Sequence, residues 1–408
     1  MTGAAWLIIA AAFAAAAAVT AFLTFNSFTR TEAWRATVTP LASIIGSGFL
    51  ICGPFLAREF GGAALVAMAG LLVLAYAVGA VVRFNIVHVE NHAATARFHD
   101  PIAWFARATQ AVLAIAYAIS VAYYLKLLAE FTLKPLPVPV RWHALTAKGM
   151  ITAIILIFVA LAFSGGLRRV EHLAHGSVSL KIGAIAGLLT GLAGWWLIHV
   201  GHTPPAPAAR LSTKSIPTLL GLLITVQGFE TSRYLGLAYP QALRIRTMRH
   251  AQWISSVIYL VFLALLTPFL GRAAATQGVA GILDIMALVA APMIALVLVA
   301  AVASQLSAAV ADSIGSGGLI SELSRRRFSV PVAFTFAAAL ATAVVWLTDP
   351  VQVVALSSRA FAVFYACQCG LALLVSVRTG AGSRLHRLGF VAVGVVCVAA
   401  ALTGAPAE

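Results

Sequence analysis

Apolar residues in this chain gather into runs of about twenty, separated by short stretches carrying arginine, proline or glycine. A helix needs about that many residues to cross the ~30 Å apolar layer of a bilayer. The runs stand at 4–24, 37–57, 62–82, 102–131, 148–165, 177–200, 215–236, 251–271, 282–312, 330–348, 351–377 and 386–403, which predicts twelve membrane-spanning helices. Two of these runs are interrupted in the middle. Ser43-Ile44-Ile45-Gly46-Ser47-Gly48-Phe49-Leu50 breaks the second, and Ile224-Thr225-Val226-Gln227-Gly228-Phe229-Glu230-Thr231-Ser232-Arg233 breaks the seventh. Paired interruptions at matching places in two halves of a membrane protein point to a transport site near the midplane. The second break also sets Glu230 and Arg233 in an apolar segment, where charge is costly unless paired or used.

Composition agrees with a chain embedded in lipid. Of 408 residues, 62% are hydrophobic and 10% charged, with a mean hydropathy of +0.98, whereas soluble domains run at roughly 25% charged residues. The formal charge of +15 would suggest nucleic acid in a soluble protein. Here no basic run is interleaved with aromatics, so the excess is read as topology and nucleic acid is excluded as a partner. Alternating the loops gives one face Arg30, Arg35, Arg83, Arg97, Arg168, Arg169, Lys181, Arg244, Arg246, Arg249, Arg325, Arg326, Arg327, Arg378, Arg384 and Arg387. The opposite face receives only Arg58, Lys134, Arg141, Lys148, Arg210, Lys214 and Arg272. That asymmetry predicts a multi-pass protein of the cell (inner) membrane with both termini outside the cytoplasm. No Lys or Arg precedes the first run, so it reads as a retained span rather than a signal peptide.

The two proline-rich stretches, 134–139 and 203–207, read as stiff outer connections. The four cysteines sit in apolar runs and read as small filler. Setting the first helix aside, spans two to six and seven to eleven form five plus five. An odd number per repeat forces the copies into opposite orientations. The expected division is an extra helix at 1–30, repeats at 36–200 and 214–380, and an extra helix at 384–408.

Gly46-Ser47-Gly48 followed by Pro54 resembles the first core helix of the amino acid–polyamine–organocation (APC) superfamily. Gln227-Gly228-Phe229-Glu230 is similar to that superfamily's sixth core helix, with a basic stretch (Arg244, Arg246, Arg249) after it. The run at 282–312 ends as the eighth core helix does, in Ser/Gly-rich sequence, a basic cluster and Pro331. The similarity covers roughly residues 36–380. It implies an all-α integral membrane protein of the LeuT type, a 5+5 inverted repeat with one extra helix at each end. The family's usual E-x-x-N-P-x-R-x-x-P run is absent, with Tyr239-Pro240 near its place, and Gly315-Ser316-Gly317-Gly318 lacks the usual arginine. The chain therefore resembles a divergent member.

Unwinding a helix inside a membrane frees backbone groups that must line protein or water. Freed N–H groups suit a carboxylate and freed carbonyls suit a cation. The candidate solute-binding residues are accordingly Ser43, Gly46, Ser47, Gly48, Tyr117, Gln227, Gly228, Phe229 and Glu230; the alternative is that the glycines serve close helix packing. Glu230 and Arg233 are three apart and would pair on intact helix; otherwise Glu230 carries a proton through the cycle while Arg233 is a fixed anchor. Lys126 and Glu130 are four apart and read as an internal ion pair or a gate. Ser304 and Ser307 are a candidate cation site by the resemblance, although the adjacent hydroxyl pair of sodium-coupled members is missing. Lys181 stands where the resemblance implies a lysine in place of sodium, or it snorkels to the interface. Asp312 reads as an inner gate or a solvated helix end. His88 with His92 and His172 with His175 give only a weak metal signal, the first pair lacking the glutamate spacing of a metalloprotease, and read as interfacial.

These features predict a secondary active transporter that moves a small solute, an amino acid or related zwitterion, by alternating access. Coupling to H+ is favoured over Na+, and no cofactor or metal is expected. The other readings are a sodium-coupled or inorganic-cation transporter of the same fold, or a ligand sensor without flux. An intramembrane enzyme would need a nucleophile with a base, and no such constellation is present. Oligomeric state is not legible.

Overall fold

A computed structural model describes residues 3–46, 48–90, 100–165, 167–199, 201, 207–235, 238–276 and 278–406, with the side chains of 167–177 left aside. Expectations for Ser47, His92, Arg97 and the 203–206 linker, and for the side chains of Arg168, Arg169, His172 and His175, lie outside the described residues.

The described chain is almost wholly helical: α1 (Gly3–Phe25), α2 (Glu32–Ile44), α3 (Gly48–Phe60), α4 (Ala64–His88), α5 (Pro101–Leu133), α6 (Val140–Phe163), α7 (Leu167–Ile198) and α8 (Ser215–Leu220). After a 3-10 turn at Leu223–Val226 come α9 (Thr231–Tyr234), α10 (Gln241–Leu266), α11 (Leu270–Ala273), α12 (Ile282–Val289), α13 (Met293–Leu323), α14 (Val330–Leu347), α15 (Pro350–Thr379) and α16 (Arg384–Thr403). Among the described residues eleven helical stretches are long and apolar enough to cross a membrane. The twelfth expected span, 215–236, is present only as the short pieces α8, the 3-10 turn and α9. Both breaks fall at the glycine-bearing stretches.

Two boundaries differ from expectation. The run at 282–312 is divided, because Ala290 is extended and Pro292, lacking an N–H, caps the start of α13. The piece cut off, α12, packs on α3 together with the short α11 that precedes it. Lys134 ties it down through the Ala280 carbonyl (3.1 Å) and Asp284 (2.6 Å), and Arg58 through the Thr276 carbonyl (2.8 Å). The other difference is α10, which starts at Gln241 after Pro240 rather than at 251. Arg244, Arg246 and Arg249 therefore stand on its first turns and not in a loop.

In lipid, apolarity does not sort inside from outside; small and polar residues do. The stretch 32–60 is the most buried, with 94% of its apolar window inside the bundle, whereas α1 and α16 each have 17%. α5 and α13 pack along each other beside it. α1 is held against α7 because Gly183 and Gly187 face Ala12, Ala16 and Thr20 closely enough to exclude any side chain.

Candidate functional site

The two breaks cross in contact, backbone to backbone. A Cβ on Gly48 would fall within the Thr225 main chain. Gly228 has φ +117°, a conformation that favours glycine, and a Cβ there would lie 2.6 Å from Ser43 Cβ and 2.8 Å from Ile44 N. Close packing and broken backbone are thus one feature at these positions, not alternatives. Gly48→Ala should lower the thermal midpoint in detergent, with a cost of about 1–3 kcal/mol for forcing a methyl into filled space. An unchanged midpoint would mean that the crossing is loose.

Polar groups released by the second break find side-chain partners. Ser358 donates to the Gly221 carbonyl (2.7 Å) and accepts from the Ile224 N–H (2.9 Å). Glu230 Oε2 accepts from the Gly228 N–H (3.0 Å) and from the Tyr365 hydroxyl (2.9 Å). Gln227 Nε2 donates to the Tyr124 hydroxyl (2.8 Å). Phe229 stacks on Tyr365, with ring centroids 5.5 Å apart and planes 16° apart. Two acceptors are left over: Gln227 Oε1 and Glu230 Oε1 are buried without a hydrogen-bond partner. Buried polar atoms in native proteins are nearly always satisfied, so two unmet acceptors three residues apart in one break mark a place that expects a donor.

Beside the crossing lies a cavity of about 400 Å³, whose lining includes Thr39, Ser43, Tyr117, Thr231, Tyr234, Ser307, Asp312 and Glu322. Asp312 is buried and accepts from the Ser120 hydroxyl, one turn beyond Tyr117. Among the described residues the lining contains two carboxylates and no Lys or Arg. A wider cleft of about 970 Å³ shares Tyr234, Gly318 and Glu322 with it and reaches Arg107, Arg233 and Arg326. The cavity therefore adjoins a cleft at the arginine-rich end of the bundle.

The candidates divide by position. Ser43, Tyr117, Ser307 and Asp312 line the cavity, while Gly46, Gly48, Gln227, Gly228, Phe229 and Glu230 form the packed crossing behind it. Asp312 is not a solvated helix end, since α13 continues to Leu323 and the carboxyl is 2% exposed. Glu230 and Arg233 do not pair. With α9 only one turn long, Glu230 turns to Tyr365 and Arg233 Nη1 donates to Gln368 Oε1 (2.7 Å), which also accepts from Asn85 (2.8 Å). Lys126 and Glu130 do not pair either. Lys126 donates to the Thr348 carbonyl and Glu130 faces His143 at 4.0 Å, both at the end away from the cavity.

Lys181 is fully buried, not snorkelled, and donates to the Ala42 carbonyl at 2.6 Å, in the last turn of α2. Ser307 donates to the Ser304 carbonyl of its own helix (3.0 Å). Among the described residues no group of three or more His, Cys, Asp or Glu is placed to hold a metal.

Several residues that bind the site together carry no local sequence signal. Tyr259, Tyr365, Ser358 and Gln368 sit in ordinary apolar spans and meet the breaks across more than thirty residues of chain. Arg244 forms a bidentate pair with Glu90 (3.0 and 2.6 Å) and donates to the Arg233 carbonyl (2.9 Å), closing the end of α9.

Residues 26–404 match the profile of the APC superfamily transporters. An uncharacterized protein of Aquifex aeolicus is 34% identical over 354 residues, 85% of each chain. Among solved structures, the outward-open, substrate-bound state of a Na+-coupled sialic acid symporter superposes with a TM-score of 0.54 at 12% identity, covering 100% of this chain and 99% of that one. The Eremococcus coleocola manganese transporter bound to an aromatic bis-isothiourea compound gives 0.54 at 14% identity, over 92% and 87%. At such identities the likeness is one of fold, and it is the LeuT-type transporter fold. The chain belongs to the APC superfamily and is a multi-pass membrane transporter, not an enzyme.

Proposed function

We propose that this transporter moves a small metabolite bearing a positively charged amine, an amino acid or related zwitterion, by alternating access through the cavity beside the crossed breaks. One observation carries the substrate class: acceptors and carboxylates predominate, with Gln227 Oε1 and Glu230 Oε1 unmet in the crossing and Asp312 lining a cavity in which no Lys or Arg stands among the described residues. In the cavity an ammonium group would meet Asp312 and Glu322, and by reaching into the crossing behind it would supply the donors missing there; Tyr117 and Tyr234 add aromatic faces that favour a cation. A carboxylate on the same solute would turn to the N–H groups at the start of α3.

The proposal extends to coupling and orientation. Proton coupling is supported over sodium because Lys181 already donates to a carbonyl at the end of α2 and the Ser307 hydroxyl is spent on its own helix. The arginine-rich end is assigned to the cytoplasm, which makes the described conformation inward-facing and places both termini outside.

A thermal-unfolding screen of the purified protein against amino acids, amines, nucleobases and simple cations tests the substrate class. A solute at a hundred times its Kd adds about 2.7 kcal/mol to stability. Amine-bearing solutes should raise the midpoint; a rise confined to anionic or neutral solutes would contradict the proposal. A response to inorganic cations alone would favour cation transport.

A further inference from the structure

Two carbonyl oxygens set free by the helix breaks meet on one phenol. Ile44 is the last residue of α2, and Thr225 lies in the 3-10 turn that precedes the second break. Carbonyls at such ends lack partners within their own helix. Tyr259 stands in the middle of α10, fully buried. Its hydroxyl donates to the Thr225 carbonyl and lies 3.1 Å from the Ile44 carbonyl, so a single proton is shared between the two breaks. The ring is held edge-on to Phe49 of α3, with centroids 5.6 Å apart and planes 83° apart. One side chain therefore touches the turn before the second break and both pieces of the first.

Carbonyl oxygens facing each other from two unwound helices call for an electropositive partner, which is a bound cation or a donor supplied by the protein. A neighbouring carbonyl shows which solution this chain uses. Ala42, two residues from the end of α2, receives the Lys181 ammonium at 2.6 Å. We propose that the Tyr259 hydroxyl is the second such donor: it takes the place of a cation between Ile44 and Thr225 and is a positioning residue that moves the two breaks as one unit. The bridge stands on these contacts alone; only its role in the transport cycle rests on the reading of the cavity as the solute site.

The consequence is separable from packing. Tyr259→Phe keeps the ring and removes the only proton, leaving two carbonyls that a small cation can join. Thermal unfolding of the purified full chain is followed in choline chloride and in sodium chloride at equal concentration, for the wild type, Tyr259→Phe and Tyr259→Ala. The wild type should melt at the same temperature in both salts. Tyr259→Phe should melt several degrees lower in choline chloride, and sodium should restore at least half of that loss along a saturating curve. Tyr259→Ala, with more room, should show the same sodium response from a lower starting point. Each comparison is made between two salts on one variant, so lost packing cancels.

Saturable stabilisation of the wild type by sodium would overturn the proposal. So would a loss that sodium repairs in neither variant, since that outcome describes packing alone. No solute is used, so failure of the cavity reading in the solute screen and failure of the Tyr259 bridge are told apart.

Discussion

Gly228→Ala should be among the most damaging single-methyl substitutions in this protein. Two independent costs meet at that atom. The backbone has φ +117°, where an L side chain is strained, and placing alanine in such a sparsely populated region costs about 1–3 kcal/mol. The added Cβ would also lie 2.6 Å from Ser43 Cβ and 2.8 Å from Ile44 N, both in the other break. Overpacking of this kind costs about 1–3 kcal/mol more. The Ser43 hydroxyl could rotate away, but Ser43 Cβ and Ile44 N are fixed by the backbone of the other break and yield only if the breaks separate. The variant should be recovered from membranes in poor yield with a sharply lowered thermal midpoint. Gly149→Ala is the control: it lies within α6 and a Cβ there meets nothing within 4 Å. Equal behaviour of the two variants would remove the crossing from the account.

Glu230→Gln should have the opposite signature, a stable protein that no longer recognises its solute. The amide oxygen can still accept from the Gly228 N–H and the Tyr365 hydroxyl, so the contacts that shape the break survive. What changes is the other oxygen, now unpartnered and buried, which becomes an N–H2 donor without charge. A hydrogen bond to a charged group is worth about 1.5–3 kcal/mol, so affinity for an ammonium-bearing solute should fall roughly tenfold to a hundredfold by that estimate. The check is a titration of solute-induced stabilisation in both proteins. A midpoint without solute close to wild type, with the solute response lost, is the expected result. An undiminished response would place the solute elsewhere.

The fold was largely legible because its determinants are local. Span length, loop charge and glycine inside apolar runs are all read within about twenty residues, and they locate both breaks. The candidate site was legible only where it coincides with a break. Pairing arguments failed for Glu230 with Arg233 and for Lys126 with Glu130, since three- and four-residue spacing assumes intact helix and solvent on one side. In the structure α9 is a single turn, and its charged groups are claimed by Tyr365 and Gln368 of α15. Asp312 looked terminal because the run at 282–312 seemed to end there. The helix in fact starts eleven residues later, at Met293 after Pro292, and continues to Leu323, which carries Asp312 inward. Pro292 was the available signal for that shift. No spacing rule reaches Tyr259, whose partners lie 215 and 34 residues away.

The central claim is that the crossed breaks and the acidic cavity beside them form a proton-coupled path for an amine-bearing solute. Proteoliposome uptake of the solute that stabilises the protein best tests it most directly, with a pH gradient, a sodium gradient or neither, in wild type and Glu230→Gln. The account predicts accumulation by the wild type when the outside is more acidic, indifference to sodium, and loss of gradient-driven accumulation in the variant. Accumulation that follows sodium and ignores pH, or that Glu230→Gln retains in full, would contradict it.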